Sequence, residues 1–158
     1  MFDGSPIPTS NSNTRPSIRK FSFQDDSGRY FFINGVQSQF TVGQFMSPDR
    51  PSYILICDYI VYYLHKISNH FDGEEIVITY GHRTPEYNAN MNPPGSPNSR
   101  HTSGKAVDFR VGPNDNEALQ RINAPIVQQL VREWGFGSDF GHVINYGRGT
   151  HIDTRSLR

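Results

Sequence analysis

The chain has one cysteine, Cys57, in 158 residues. That excludes an intrachain disulfide, and it excludes a zinc site built from several thiolates. There is no apolar run of about 18 residues or more, so no segment is expected to span a membrane. The N-terminus lacks the basic-then-apolar pattern of a secretory signal. Neither sign of charge is in excess, since 15 Lys and Arg balance 15 Asp and Glu. No nucleic-acid partner is therefore expected, because that needs clustered positive charge. What remains is a chain long enough for one domain with its own core. It also carries six histidines, the side chains best suited to neutral-pH proton and metal chemistry.

Residues 1–18 are rich in Ser, Asn, Pro and Thr and read as a flexible N-terminal arm that cannot order itself alone. Residues 19–158 read as the folded domain. Phe21-Ser22-Phe23 and Tyr30-Phe31-Phe32-Ile33, on either side of Asp25-Asp26-Ser27-Gly28, suggest a hairpin. The acidic turn is too short to supply a twelve-residue calcium loop. Apolar residues at Tyr53, Ile56, Cys57, Ile60, Val61, Leu64 and Ile67 predict a helix over Ser52 to Asn69, with Cys57 as a small core residue. Glu75 to Tyr80 predicts a buried strand running into Gly81-His82-Arg83. Tyr87 to Asn98, rich in Asn, Pro and Gly, predicts an irregular loop at the rim of a cleft. A second helix is expected from Ala124 to Glu133, capped by Asn123 with Pro125 in its first turn and ended at Trp134-Gly135-Phe136-Gly137. His142 to Tyr146 predicts a strand, turned by Gly147-Arg148-Gly149 into a last strand around His151.

The most informative stretch is Ser99-Arg100-His101-Thr102-Ser103-Gly104-Lys105-Ala106-Val107-Asp108. A loop over Ser99 to Gly104 feeds a strand over Lys105 to Val111. Strand alternation puts Asp108 and Arg110 on one face and Val107, Phe109 and Val111 on the other. Thr150-His151-Ile152-Asp153 alternates likewise, with Ile152 inward. Two neighbouring strands can therefore aim His101, Asp108 and His151 at one point. Two imidazoles and a carboxylate are a ligand set for catalytic zinc, which takes three protein ligands and keeps a fourth position open. Asp153 reads as the partner of a ligand imidazole's other nitrogen.

Ser-x-His-x-x-Gly-x-Ala-x-Asp followed by a late His-x-Asp resembles the zinc D-alanyl-D-alanine carboxypeptidase and murein peptidase family. Thr79-Tyr80-Gly81-His82-Arg83-Thr84-Pro85 is similar to that family's Gly-aromatic-Arg-Ser/Thr-Pro segment. The resemblance spans roughly residues 52 to 155. It implies a single-domain α+β fold of the hedgehog/DD-peptidase type, a small antiparallel sheet flanked by helices. It implies Zn2+ held by His101, Asp108 and His151, and peptidoglycan stem peptides as substrate, cut at a D-amino acid. The protein would act on the cell wall, in the periplasm, outside the cell, or delivered as a phage lysin or toxin. It is expected to act as a monomer.

The resemblance also distributes roles. Arg83, whose fork suits a carboxylate, would bind substrate and serve catalysis, and Ser99 would contact substrate. Several branches of the family carry an acid three residues before the last ligand histidine, where this chain has Arg148. A guanidinium cannot serve as a base at neutral pH. His142 is the first substitute expected, with His82 and Glu86 as alternates. His82 also stands where the family has an aromatic. The rival reading is a zinc-fold module of little or no activity that binds cell-wall peptides.

Overall fold

The computed structural model describes residues 5–9, 17–134 and 142–154. Strands β1 (Ile7–Thr9) and β2 (Ile18–Ser22) precede one helical turn, α1 (Phe23–Asp26). Then come β3 (Tyr30–Ile33), β4 (Val36–Thr41), a 3-10 turn at Val42–Phe45, β5 (Tyr53–Cys57) and helix α2 (Asp58–His70). β6 (Ile76–Tyr80), α3 (Pro85–Asn90), a second 3-10 turn at Arg100–Ser103 and β7 (Ala106–Val111) follow. Helix α4 (Glu117–Glu133), β8 (His142–Asn145) and β9 (Thr150–Asp153) close the order.

The strands form three small sheets rather than the single sheet expected: β1-β3-β4, β2-β5 and the antiparallel β6-β7-β9-β8. The last sheet positions the site. Its inner face carries Val107, Phe109 and Val111 of β7, Ile152 of β9 and Val143 of β8, all buried in one core with Val127 and Val131 of α4 and Ile60, Leu64 and Ile67 of α2. Each fully buried aliphatic contributes roughly 1.5–3 kcal/mol. The alternation read from Lys105 to Val111 is therefore what turns Asp108 to the opposite face.

The structure corrects three elements. The Phe21/Tyr30 hairpin does not form. Phe23–Asp26 coils instead, because Ser22 Oγ accepts from Asp25 N at 3.3 Å and Asp26 Oδ2 accepts from Ser22 N at 2.8 Å. β2 pairs with β5, and β3 pairs with β4 through Asn34-Gly35, both left-handed (φ 51° and 84°), as a type I′ turn demands. The helix expected from Ser52 starts at Asp58, since Tyr53-Ile54-Leu55-Ile56-Cys57 is a continuous apolar, partly β-branched run that pairs as a strand. Cys57 is buried, at the strand–helix junction. The helix expected from Ala124 begins at Glu117, capped by Asn116, whose side chain accepts from Leu119 N at 3.1 Å. Pro125 lies inside it, where a proline forfeits one backbone hydrogen bond that packing must offset.

Ile7–Thr9, within the span read as an arm, runs parallel to β3, and Ile7 is buried. The segment orders against the domain, not by itself. Residues 1–4 and 10–16, and the helix stop at residues 135–137, lie outside the described residues. Within the loop expected from Tyr87, α3 continues to Asn90, started by Thr84 as cap and Pro85 in the first turn.

Candidate metal centre and its cleft

Register builds the site. Tyr80 of β6, Asp108 of β7, His151 of β9 and Ile144 of β8 are successive cross-strand partners, so they form one rung of the sheet. Cross-strand partners share a face. His101 reaches the same point from the 3-10 turn, which Gly104 ends in a left-handed conformation (φ 75°). A Cβ on Gly104 would stand 2.6 Å from Leu55 O. Only glycine lets the His101 loop lie this close to β5.

The donor atoms of His101, Asp108 and His151 all lie within 4.8 Å of one another. His101 Nδ1 donates to Gly81 O at 2.7 Å, so its proton sits on Nδ1 and Nε2 offers a lone pair. That Nε2 is 3.3 Å from Asp108 Oδ2, about the edge of a tetrahedron drawn with zinc–ligand bonds of ~2.0–2.1 Å. His151 lies between two carboxylates, with Nδ1 2.6 Å from Asp108 Oδ1 and Nε2 2.7 Å from Asp153 Oδ2. Burial opposes a charge on His151, but hydrogen bonds to Asp108 and Asp153 and their charges outweigh it and push the imidazole up to about 9. Burial likewise opposes ionisation of Asp108. The adjoining His101 and His151 side chains outweigh it and hold that carboxyl well below the usual range. Three donors converge, each ligand imidazole is fixed through its other nitrogen, and the carboxylate stays ionised. This set fits a divalent metal.

Around it opens a cleft of about 390 Å³. It is lined by His101, Asp108, His151 and Asp153, by Ser96, Asn98, Ser99 and Arg100 around the second 3-10 turn, and by Ile144 and Tyr146 of β8 and the turn after it. Arg83 also lines the cleft. Its guanidinium stacks 4.3 Å over the Tyr80 ring, Nη1 donates to Asn88 Oδ1 at 3.3 Å, and Nη2 is 3.6 Å from Asp108 Oδ2. The Arg83 backbone N–H donates to His101 O at 3.0 Å, tying the two motifs together. Ser99 faces the cleft while its Oγ caps the turn by accepting from His101 N at 3.3 Å.

The base candidates lie elsewhere. His142 is the cross-strand partner of Asp153 and shares the site's face, but it is not among the cleft-lining residues. It stands two rungs away from Ile144 and His151, ~7 Å along the strand. His82 is buried against the Tyr53 ring, and Glu86 sits in the first turn of α3. Arg148 has left the cleft too. Its Nε donates to Gln120 Oε1, Nη2 donates to Asn114 O at 3.0 Å, and Nη1 is 3.4 Å from Glu117 Oε1.

Tyr80, Asn88 and Arg100 escaped the reading of the sequence. Tyr80 had a usable signal, being the last residue of a predicted strand beside Arg83. Asn88 had none: it is buried, holds Arg83 and donates to Ser96 O at 2.8 Å, pinning the rim loop.

A candidate metal centre in a polar cleft is the class of site these residues define. The chain belongs to the M15 zinc peptidase family, which includes D-Ala-D-Ala carboxypeptidase-type members: the family model for peptidase M15 matches residues 33–144. The match takes in Arg83, His101 and Asp108, and His151 joins them through the pairing of β9 with β7. Neither the curated proteins nor the solved structures searched gave a match. Among the described residues no helix is long and apolar enough to cross a membrane.

Proposed function

We propose that the protein is a zinc peptidase that hydrolyses a peptide bond at a D-amino acid in peptidoglycan stem peptides, on a fold of the hedgehog/DD-peptidase type. The observation that carries this reading is the rung placing Asp108 beside His151 with His101 Nε2 turned toward them. His101, Asp108 and His151 hold the metal. Bound there, zinc supplies Lewis acidity toward the scissile carbonyl and a water-derived nucleophile near neutral pH.

The protein's own groups do the rest. Arg83 offers its guanidinium edge to the substrate's free carboxylate while steadying Asp108. Ser99 donates from its hydroxyl to the peptide backbone. Asp153 keeps the His151 ring in the ligating orientation. His142 accepts the proton of the attacking water through an intervening water and returns it to the leaving amine.

Digestion of purified peptidoglycan, with and without chelator, read by mass spectrometry, tests this reading. Chelator-sensitive release of a fragment cut at a D-residue is expected, and His101→Ala should lose both the zinc and the cleavage. No cleavage by protein with a full complement of zinc would refute it. The second reading, a module that binds cell-wall peptides without cutting, is favoured by Arg148 at the position of the family's acid and by the distance of His142 from the cleft. It predicts binding to the same peptidoglycan with no change in fragment mass.

A further inference from the structure

We propose that Arg100 is a specificity residue that pairs with a second carboxylate on the substrate, so that the cleft selects acidic peptides. This rests on the reading of the cleft as a peptide site. Two guanidiniums line the cleft, and their circumstances differ. Arg83 is engaged on three sides, by the Tyr80 ring, Asn88 and Asp108. Arg100 donates from Nη1 to Asn98 O at a long 3.4 Å, and its Nε, like that of Arg83, is buried without a partner among the described residues. Of the two, Arg83 has a carboxylate oxygen within 4.0 Å and Arg100 has none among the described residues. A partly buried cation without a counter-charge is costly unless an anion comes to it.

The wall around Arg100 suits such an anion. Ser96, Asn98 and Ser99 add polar groups to the same cleft, and Ile144 and Tyr146 add apolar surface. A bound peptide then sets its acidic group at Arg100. Since Arg83 already answers a terminal carboxylate, the anion for Arg100 is an internal one, near the scissile bond. An internal glutamyl residue with a free carboxylate fits, and its amide, equal in size but uncharged, does not.

The test uses two stem peptides that differ only at the internal D-glutamyl α-carboxyl, free in one and amidated in the other. Their binding to zinc-loaded protein is measured by calorimetry. Wild type is expected to bind the free acid ~10–100-fold tighter, the range of a charge-assisted hydrogen bond. Arg100→Gln should erase the difference, Arg100→Lys should restore part of it, and added salt should shrink it. Zinc content and thermal unfolding of each variant show that it is folded. Equal affinity of wild type for both peptides, binding of neither, or a preference that survives Arg100→Gln overturns the proposal. Cleavage of the same peptides is followed alongside. Acid-selective binding without cleavage removes the peptidase reading and leaves Arg100 in its role, and cleavage without acid preference does the reverse.

Discussion

Asp153 Oδ2 lies 2.7 Å from His151 Nε2, on a side chain with no exposed surface. The contact decides which ring nitrogen of His151 faces Asp108. Removing it should free the ring to turn. Asp153→Ala should therefore weaken zinc binding ~10–100-fold, the usual effect of losing the group that orients a ligand. Asp153→Asn, which keeps an acceptor, should lose less. Competition with a chromophoric chelator measures both, and wild-type affinity in Asp153→Ala would assign Asp153 to folding alone.

Arg148 should prove structural. Its partner Gln120 is fully buried, so Arg148→Met leaves Gln120 Oε1 without its donor. The expected loss is ~1–3 kcal/mol in chemical denaturation; the exposed pair with Glu117 adds little. Zinc affinity should not change. Arg148→Glu should not raise turnover, because a side chain at this position points to α4. A rise in turnover would show that the loop can swing an acid back over the metal.

His82 buries an imidazole whose nitrogens have no partner among the described residues. Burial lowers its pKa, opposed by the charge of Asp49. The folded state thus favours the neutral ring, while the unfolded chain takes up a proton near the ordinary value of about 6.5. This contribution to stability is present above that pH and is lost as pH falls below it. His82→Phe, restoring an aromatic without polar atoms, should stabilise the protein by ~1 kcal/mol or more at pH 5 and by less at pH 8. Melting curves at the two pH values check it, and a destabilisation at both would mean that His82 has a polar partner in solution.

Gly104→Ala should be among the most damaging small substitutions in the chain. It places a methyl group 2.6 Å from Leu55 O at a left-handed position. A cost of ~1–3 kcal/mol is expected from the backbone conformation alone, and the clash adds to it. Because the turn carries His101, zinc affinity should fall with stability. Equal fall in Gly35→Ala, where nothing lies within 4 Å, would show that conformation and not the close approach is responsible.

The site was more legible in the sequence than the fold. His101, Asp108 and His151 announce themselves by residue type, and the alternation around Asp108 and His151 settles which way they face. Each of those signals is carried by a few adjacent residues. The failures needed partners distant in sequence. Tyr53 to Cys57 fits a helix until β2 pairs with it, and no local pattern says that Ile18 will oppose Cys57. Likewise Thr84 Oγ1 donates to Asp49 Oδ2 at 2.6 Å, fixing the Arg83 loop from 35 residues away. Arg148 read as a missing acid; that it is an added tie to α4 depends on Gln120, which sequence spacing does not connect to it. The Asn34-Gly35 turn was readable, and its φ > 0 signature outranks the Asp-Asp-Ser-Gly run beside it.

The rung from Tyr80 to Ile144 makes the metal a judge of how the sheet has assembled. Slipping β9 by one residue against β7 would bring Ile152 to the place of His151 and send both His151 and Asp153 into the core. Such a chain could look folded by its backbone and still hold no zinc. On the zinc reading proposed above, metal retention during purification tests the pairing of β9 with β7 as well as the identity of the ligands.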